Sequence, residues 1–102
     1  MSKWAFLTKH ALVISIIDRE KRITTRELGT IVGIHERAVQ RIVAELCADG
    51  YIMKTRQGKN NLYSINAELP LRTSVYSEIP IGNLLRALNR KRRKRKLSSP
   101  EI

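Results

Sequence analysis

Ile34-His35-Glu36-Arg37-Ala38-Val39-Gln40-Arg41-Ile42-Val43-Ala44-Glu45-Leu46 is the stretch that decides the fold. Wound into a helix at about 100° per residue, it gathers Val39, Ile42, Val43 and Leu46 into one apolar arc. Arg37, Gln40 and Arg41 fall on the opposite side, towards the N-terminal half. The apolar arc has to be buried, which pins the helix to a core. The polar side then carries two guanidiniums and a carboxamide, groups that match phosphates and the edges of guanine and adenine. This combination predicts a helix, over about residues 35–48, that lies on DNA and reads it.

The residues just before it supply a second helix. Thr24 and Glu27 have the spacing of a capping box, in which each side chain satisfies the other's free N–H. Ile23 and Leu28 stand at the two positions of a hydrophobic staple. The helix should run through Leu28, Ile31 and Val32 and stop at Gly33, which tolerates positive φ. His35 then sits near the N-cap of the opening helix. A short helix, a glycine turn and a longer helix with exposed Arg and Gln form a helix-turn-helix pattern. Further upstream, Thr8 can cap a helix reaching about residues 18–19, with Ala11, Leu12, Ile14, Ile16 and Ile17 on its apolar side. Trp4, Phe6 and Leu7 make the first residues so apolar that they are expected to pack on the domain or on a second copy of it.

Downstream, Asp49-Gly50 should end the opening helix. Residues 51–56 and 61–66 are two β-prone runs flanking Gln57-Gly58-Lys59-Asn60, which predicts a hairpin. Arg56 and Lys59 lie at or beside its tip. Pro70 and Pro80 bracket a polar connector. Ile81, Leu84, Leu85 and Leu88 then follow i, i+3, i+4, i+7 spacing, the mark of an amphipathic helix. It runs into the unbroken basic block Arg90-Lys91-Arg92-Arg93-Lys94-Arg95-Lys96, and residues 97–102 are expected to be disordered.

Charge points the same way, with a reservation about its distribution. The 102 residues hold 20 Lys and Arg against 9 Asp and Glu, a formal net charge of +11. Such a chain seeks polyanions. The basic block supplies +7 of it, so the excess on the remainder is moderate. Cys47 is the sole cysteine, which excludes a disulfide within the chain and zinc sites built from Cys pairs. His10 and His35 lack the neighbours of a metal site. No paired carboxylates, Ser/His/Asp set or phosphate loop is present, so neither an enzyme nor a cofactor is expected. No apolar run approaches the ~20 residues of a membrane span, and no secretory pattern opens the sequence. The expected location is the cytoplasm, at the nucleoid in a prokaryote.

The run from Thr24 to Leu28, Gly33-Ile34, the segment from Glu36 to Leu46, Asp49-Gly50-Tyr51-Ile52 and the hairpin with Gly58 together resemble winged helix-turn-helix transcriptional regulators of the MarR/ArsR type. The resemblance covers about residues 8–66. It extends to small stand-alone bacterial winged-helix proteins through Trp4 to Thr8, Leu69 to Arg72 and Gly82 to Leu85. In the wider family the second helix of the motif enters the major groove, and the wing tip reaches a minor groove or the backbone. Carried over, this makes Arg37, Gln40 and Arg41 the base or phosphate readers, Arg56 and Lys59 the wing contacts, and Arg26 a phosphate contact. His35 departs from the Ser or Thr common at its position, and is expected at most to touch phosphate. Glu36 is better explained as a first-turn carboxylate favoured by the helix dipole than as a cytosine reader.

The expected fold is therefore α+β and mostly α: a winged helix-turn-helix, with three helices and a β-hairpin wing, plus an added C-terminal amphipathic helix. Its parts are a DNA-binding domain over 1–66, a connector over 67–80, the helix and basic run over 81–96, and the end over 97–102. The expected function is sequence-specific binding of double-stranded DNA in transcription regulation, with no membrane partner. Dimerisation is expected through Trp4, Phe6 and Leu7, through Ile81, Leu84, Leu85 and Leu88, or through both sets. Two alternatives are a winged helix serving protein–protein assembly and a non-specific nucleic-acid binder dominated by its basic run. The operator and any effector are not legible.

Overall fold

A computed structural model describes residues 4–58 and 60–98, with backbone alone at residues 60 and 90–98. The first helix, α1 (Lys9–Glu20), begins where Thr8 Oγ1 accepts the Ala11 N–H at 3.1 Å. Val13, Ile14 and Ile17 are fully or almost fully buried along its inner face. The helix ends at Lys21, whose φ of 62° is the one positive value among described non-glycine residues. Its N–H donates to Ile17 O at 2.7 Å and its carbonyl accepts the Tyr63 N–H at 2.8 Å. That turn delivers the chain into β1 (Arg22–Ile23), where Ile23 points into the core and Arg22 outward.

Thr24 opens α2 (Thr25–Val32), and the capping box is complete. Its Oγ1 accepts the Glu27 N–H at 3.0 Å, while Glu27 Oε1 accepts the Thr24 N–H at 3.0 Å. Thr24→Ala removes one half of this exchange and is expected to cost about 1 kcal/mol. A urea midpoint equal to that of the wild type would show that the box does not hold this helix. Leu28 is completely buried. Gly33 closes α2 at φ 87°, and both Gly33 and Ile34 donate to Gly29 O, at 2.7 and 3.0 Å. The chain then enters α3 (Glu36–Ala48), which buries Val39, Ile42, Val43 and Leu46 as the apolar arc requires.

After Gly50 (φ 86°), the buried pair Tyr51 and Ile52 leads into β2 (Ile52–Gln57), which pairs antiparallel with β3 (Asn60–Ile65). The register runs from Ile52↔Ile65 to Gln57↔Asn60. Gln57 and Asn60 are therefore paired, although both were expected to belong to the turn. β1 adds to the far side of β3, giving a three-stranded sheet of order β1-β3-β2. The hairpin pattern alone had not revealed this third strand. Tyr63 is buried on β3, and burial pushes its phenol above the ordinary value. The Asn61 amide, donating to the phenol oxygen at 3.3 Å, works in the opposite direction.

Residues 66–102 form a second unit. Its connector is a closed loop rather than an open linker: Pro70 and Pro80 form an antiparallel bridge, Leu71 N–H donates to Ile79 O at 2.9 Å and Ile81 N–H to Leu69 O at 2.7 Å. The last helix, α4 (Ile81–Ser98), starts with Gly82 against Ala67, where a Cβ would lie 2.8 Å from the Ala67 Cβ. Its backbone stays helical through the basic run to Ser98, two residues past the boundary expected at 96. Residues 99–102 lie outside the described part. Ile81 and Leu85 are already buried within one chain, whereas Leu84 and Leu88 are only half-buried. The first two are therefore removed from the surface a second copy could meet.

The N-terminal aromatics do not pack on the domain, which corrects one of the two expectations for them. Trp4 is 68% and Phe6 91% exposed, and the rings meet each other edge to face at 4.9 Å. Leu7 is half-buried.

Candidate nucleic-acid interface

The buried arc of α3 leaves a defined outer face. Stepping about 100° per residue from that arc, Arg37, Arg41, Ala44 and Ala48 lie opposite it, and all four are exposed. Gln40, also exposed, lies on the flank that turns towards β2. There it shares a groove with Thr25 of α2 and Lys54 of β2. The opposite flank of α3 is tied to α1 by His10 Nε2 and Glu45 Oε1 at 2.6 Å. Among the described residues, no side chain bonds to those of Arg37, Gln40 or Arg41, so their donors and acceptors remain open to a ligand.

Glu36 has a different part. Its Oε2 accepts the Thr25 Oγ1 hydroxyl at 2.7 Å, tying the first turn of α3 to the first turn of α2. The carboxylate thus holds the angle between the two helices. His35 takes the N-cap backbone conformation, φ −68° and ψ 152°, yet makes no side-chain capping bond. It lines a depression at the helix-helix turn together with Arg26, Thr30 and Glu36. Arg26 and His35, distant on the sequence pattern, are thereby brought to one place.

On the wing, Arg56 Nε donates to Gly58 O at 3.1 Å, so this side chain, expected as a wing contact, also helps to close the turn. Arg22 reaches across β3 to donate to Gln57 Oε1 at 2.9 Å and braces the far end of β2. Lys59 lies outside the described residues.

Thr25, Ala44 and Lys54 belong to the same surface and were missed in the sequence. Lys54 had a usable signal: it alternates with the buried Ile52, so both project to the α3 side of the hairpin. Thr25 had none, because its hydroxyl is claimed by a residue eleven positions away. Among the described residues no group of His, Cys, Asp or Glu could hold a metal ion, and no helix is long and apolar enough to cross a membrane.

This geometry agrees with comparisons to known proteins. Residues 9–53, from α1 into β2, match a family model described as winged helix-turn-helix DNA-binding. Over these residues the chain has the winged helix-turn-helix fold. Its fold is MarR-like. It is similar to the crystal structure of a predicted DNA-binding transcriptional regulator from E. coli, with TM-score 0.56 and 18% identity, over 79% of this chain and 74% of that one. It is similar to a MarR family transcriptional regulator from Silicibacter pomeroyi, with TM-score 0.55 and 15% identity, over 90% of this chain and 60% of that one. The PcaV transcriptional regulator from Streptomyces coelicolor, solved with its natural ligand, gives TM-score 0.50 and 17% identity over 99% of this chain. The match spans 66% of PcaV. A search of curated protein sequences finds no match.

Proposed function

We propose that this protein is a transcriptional regulator that binds double-stranded DNA sequence-specifically, with α3 in the major groove and the β2–β3 wing on the minor groove or backbone. The observation that carries this reading is the outer face of α3. Arg37 and Arg41, directly opposite the arc that anchors the helix in the core, and Gln40, on the flank towards β2, are exposed and unpaired among the described residues. Arg26 and His35, which line one depression beside the α3 N-terminus, meet a phosphate of the same duplex in this reading. Arg56 and Lys59 serve as wing contacts. Glu36 supports the surface by bracing it.

The protein acts as a homodimer in this reading, because two half-sites multiply the affinity of one small domain. The exposed Trp4–Phe6 pair, with Leu7, and the half-buried Leu84 and Leu88 offer the apolar surface for it. The basic run on α4 adds sequence-independent attraction to phosphate. A chain ending after Leu88 tests this division of labour. It is expected to bind more weakly, with a shallower salt dependence, while still preferring the same sequence. Loss of all preference would assign the binding to the basic run and overturn the role of α3.

A further inference from the structure

The outer face of α3 has an unusual centre. Arg37 and Arg41 lie one turn apart along one side of it, Gln40 lies on the other, and between them stands Ala44, an exposed methyl group with no polar atom. Ala44 and Ala48 also form the apolar side of the groove that Thr25 and Lys54 wall. On a solvated face alanine serves helix propensity alone; on a face laid into the major groove its small size gains a second use. A methyl-sized residue lets the helix backbone approach the base edges closely, and it offers apolar surface to the single apolar group displayed there, the 5-methyl of thymine.

We propose that Ala44 is a specificity-determining residue that packs against a thymine methyl, in an A·T pair at or beside the one whose adenine Gln40 reads. Gln40 precedes Ala44 by one helical turn on the same side of the helix, so the two address neighbouring positions along the groove. The carboxamide matches adenine N6 and N7. Arg41, on the other side of Ala44, matches guanine. Lys54, across the groove from Gln40, supplies a positive charge for the phosphate of the strand that enters it. This inference rests on α3 being the DNA-reading element.

The test uses the full-length protein and duplexes it selects from a random pool. Each thymine of the preferred site is replaced in turn by deoxyuridine, which removes the methyl and leaves every hydrogen-bonding group in place. At one position in each half-site the wild type is expected to lose about fourfold in affinity, the value of one methyl buried. Ala44→Gly, its fold checked by circular dichroism, is expected to bind the thymine and deoxyuridine duplexes equally well. If the wild type selects a defined site but is indifferent to deoxyuridine at every thymine, the role of Ala44 is overturned while α3 recognition stands. If no sequence is enriched, the proposed function fails and takes this inference with it.

Discussion

Gly29→Val is expected to destabilise the domain by about 3 kcal/mol, the upper part of the range for overpacking a tight interior. The cause is local and geometric. A Cβ at position 29 would sit 2.7 Å from the carbonyl oxygen of Ile34, with Val39 Cγ2 at 3.5 Å and the Glu36 N at 3.6 Å. The oxygen cannot retreat cheaply, because residues 33 and 34 are themselves tied back to Gly29 O. Relief requires α3 to move away from α2, which also loosens the contact between Thr25 and Glu36. Equilibrium unfolding in urea measures the effect, with the exposed neighbour Thr30→Val as a control expected to stay within about 0.5 kcal/mol. Equal midpoints for the two variants would mean that α2 and α3 do not approach as closely as described.

Arg41→Ala is expected to leave stability unchanged, since the side chain is exposed and unpaired among the described residues, and to weaken binding to the preferred duplex by about 5- to 150-fold. The loss should be confined to one position of the site, where discrimination against the wrong base falls. Arg41→Lys separates reading from simple attraction. It keeps the charge but lacks the planar two-donor fork, so it should recover part of the affinity and none of the discrimination. Affinity and discrimination both equal to the wild type in Arg41→Ala would remove this residue from the interface.

Much of the fold was legible because its signals are short-range. The Thr24–Glu27 exchange, the left-handed Gly33 and the apolar arc of α3 each lie within a few residues and each has a distinct chemical cause. β1 was not legible. Two residues cannot show alternation, and Ile23 had a sufficient reading as the apolar neighbour of a cap. What makes it a strand is its pairing with Asn61 and Leu62, nearly forty positions away. Gly29 was hidden for a related reason: a glycine inside a helix is informative only once the backbone that crosses it is known.

The interface divides along the same line. Arg37, Gln40 and Arg41 could be found from helical phase alone, and all three are exposed as that phase requires. The Glu36–Thr25 bond, the Arg56–Gly58 bond and the groove joining Gln40 to Lys54 depend on how elements meet, which periodicity does not encode. The first residues mislead in the opposite way. Trp4 and Phe6, expected on the domain or on a second copy, are exposed within one chain and meet each other edge to face.

The central claim, that α3 reads DNA sequence, is tested most directly by selecting bound duplexes from a random pool at near-physiological salt, with the wild type and with Arg41→Ala in parallel. The wild type is expected to select a defined half-site repeated with two-fold symmetry, its copies one helical turn or a multiple apart. The variant is expected to select the same half-site, degenerate at a single position. Recovery of unenriched sequence by the wild type, or identical sites from the two proteins, would contradict the claim.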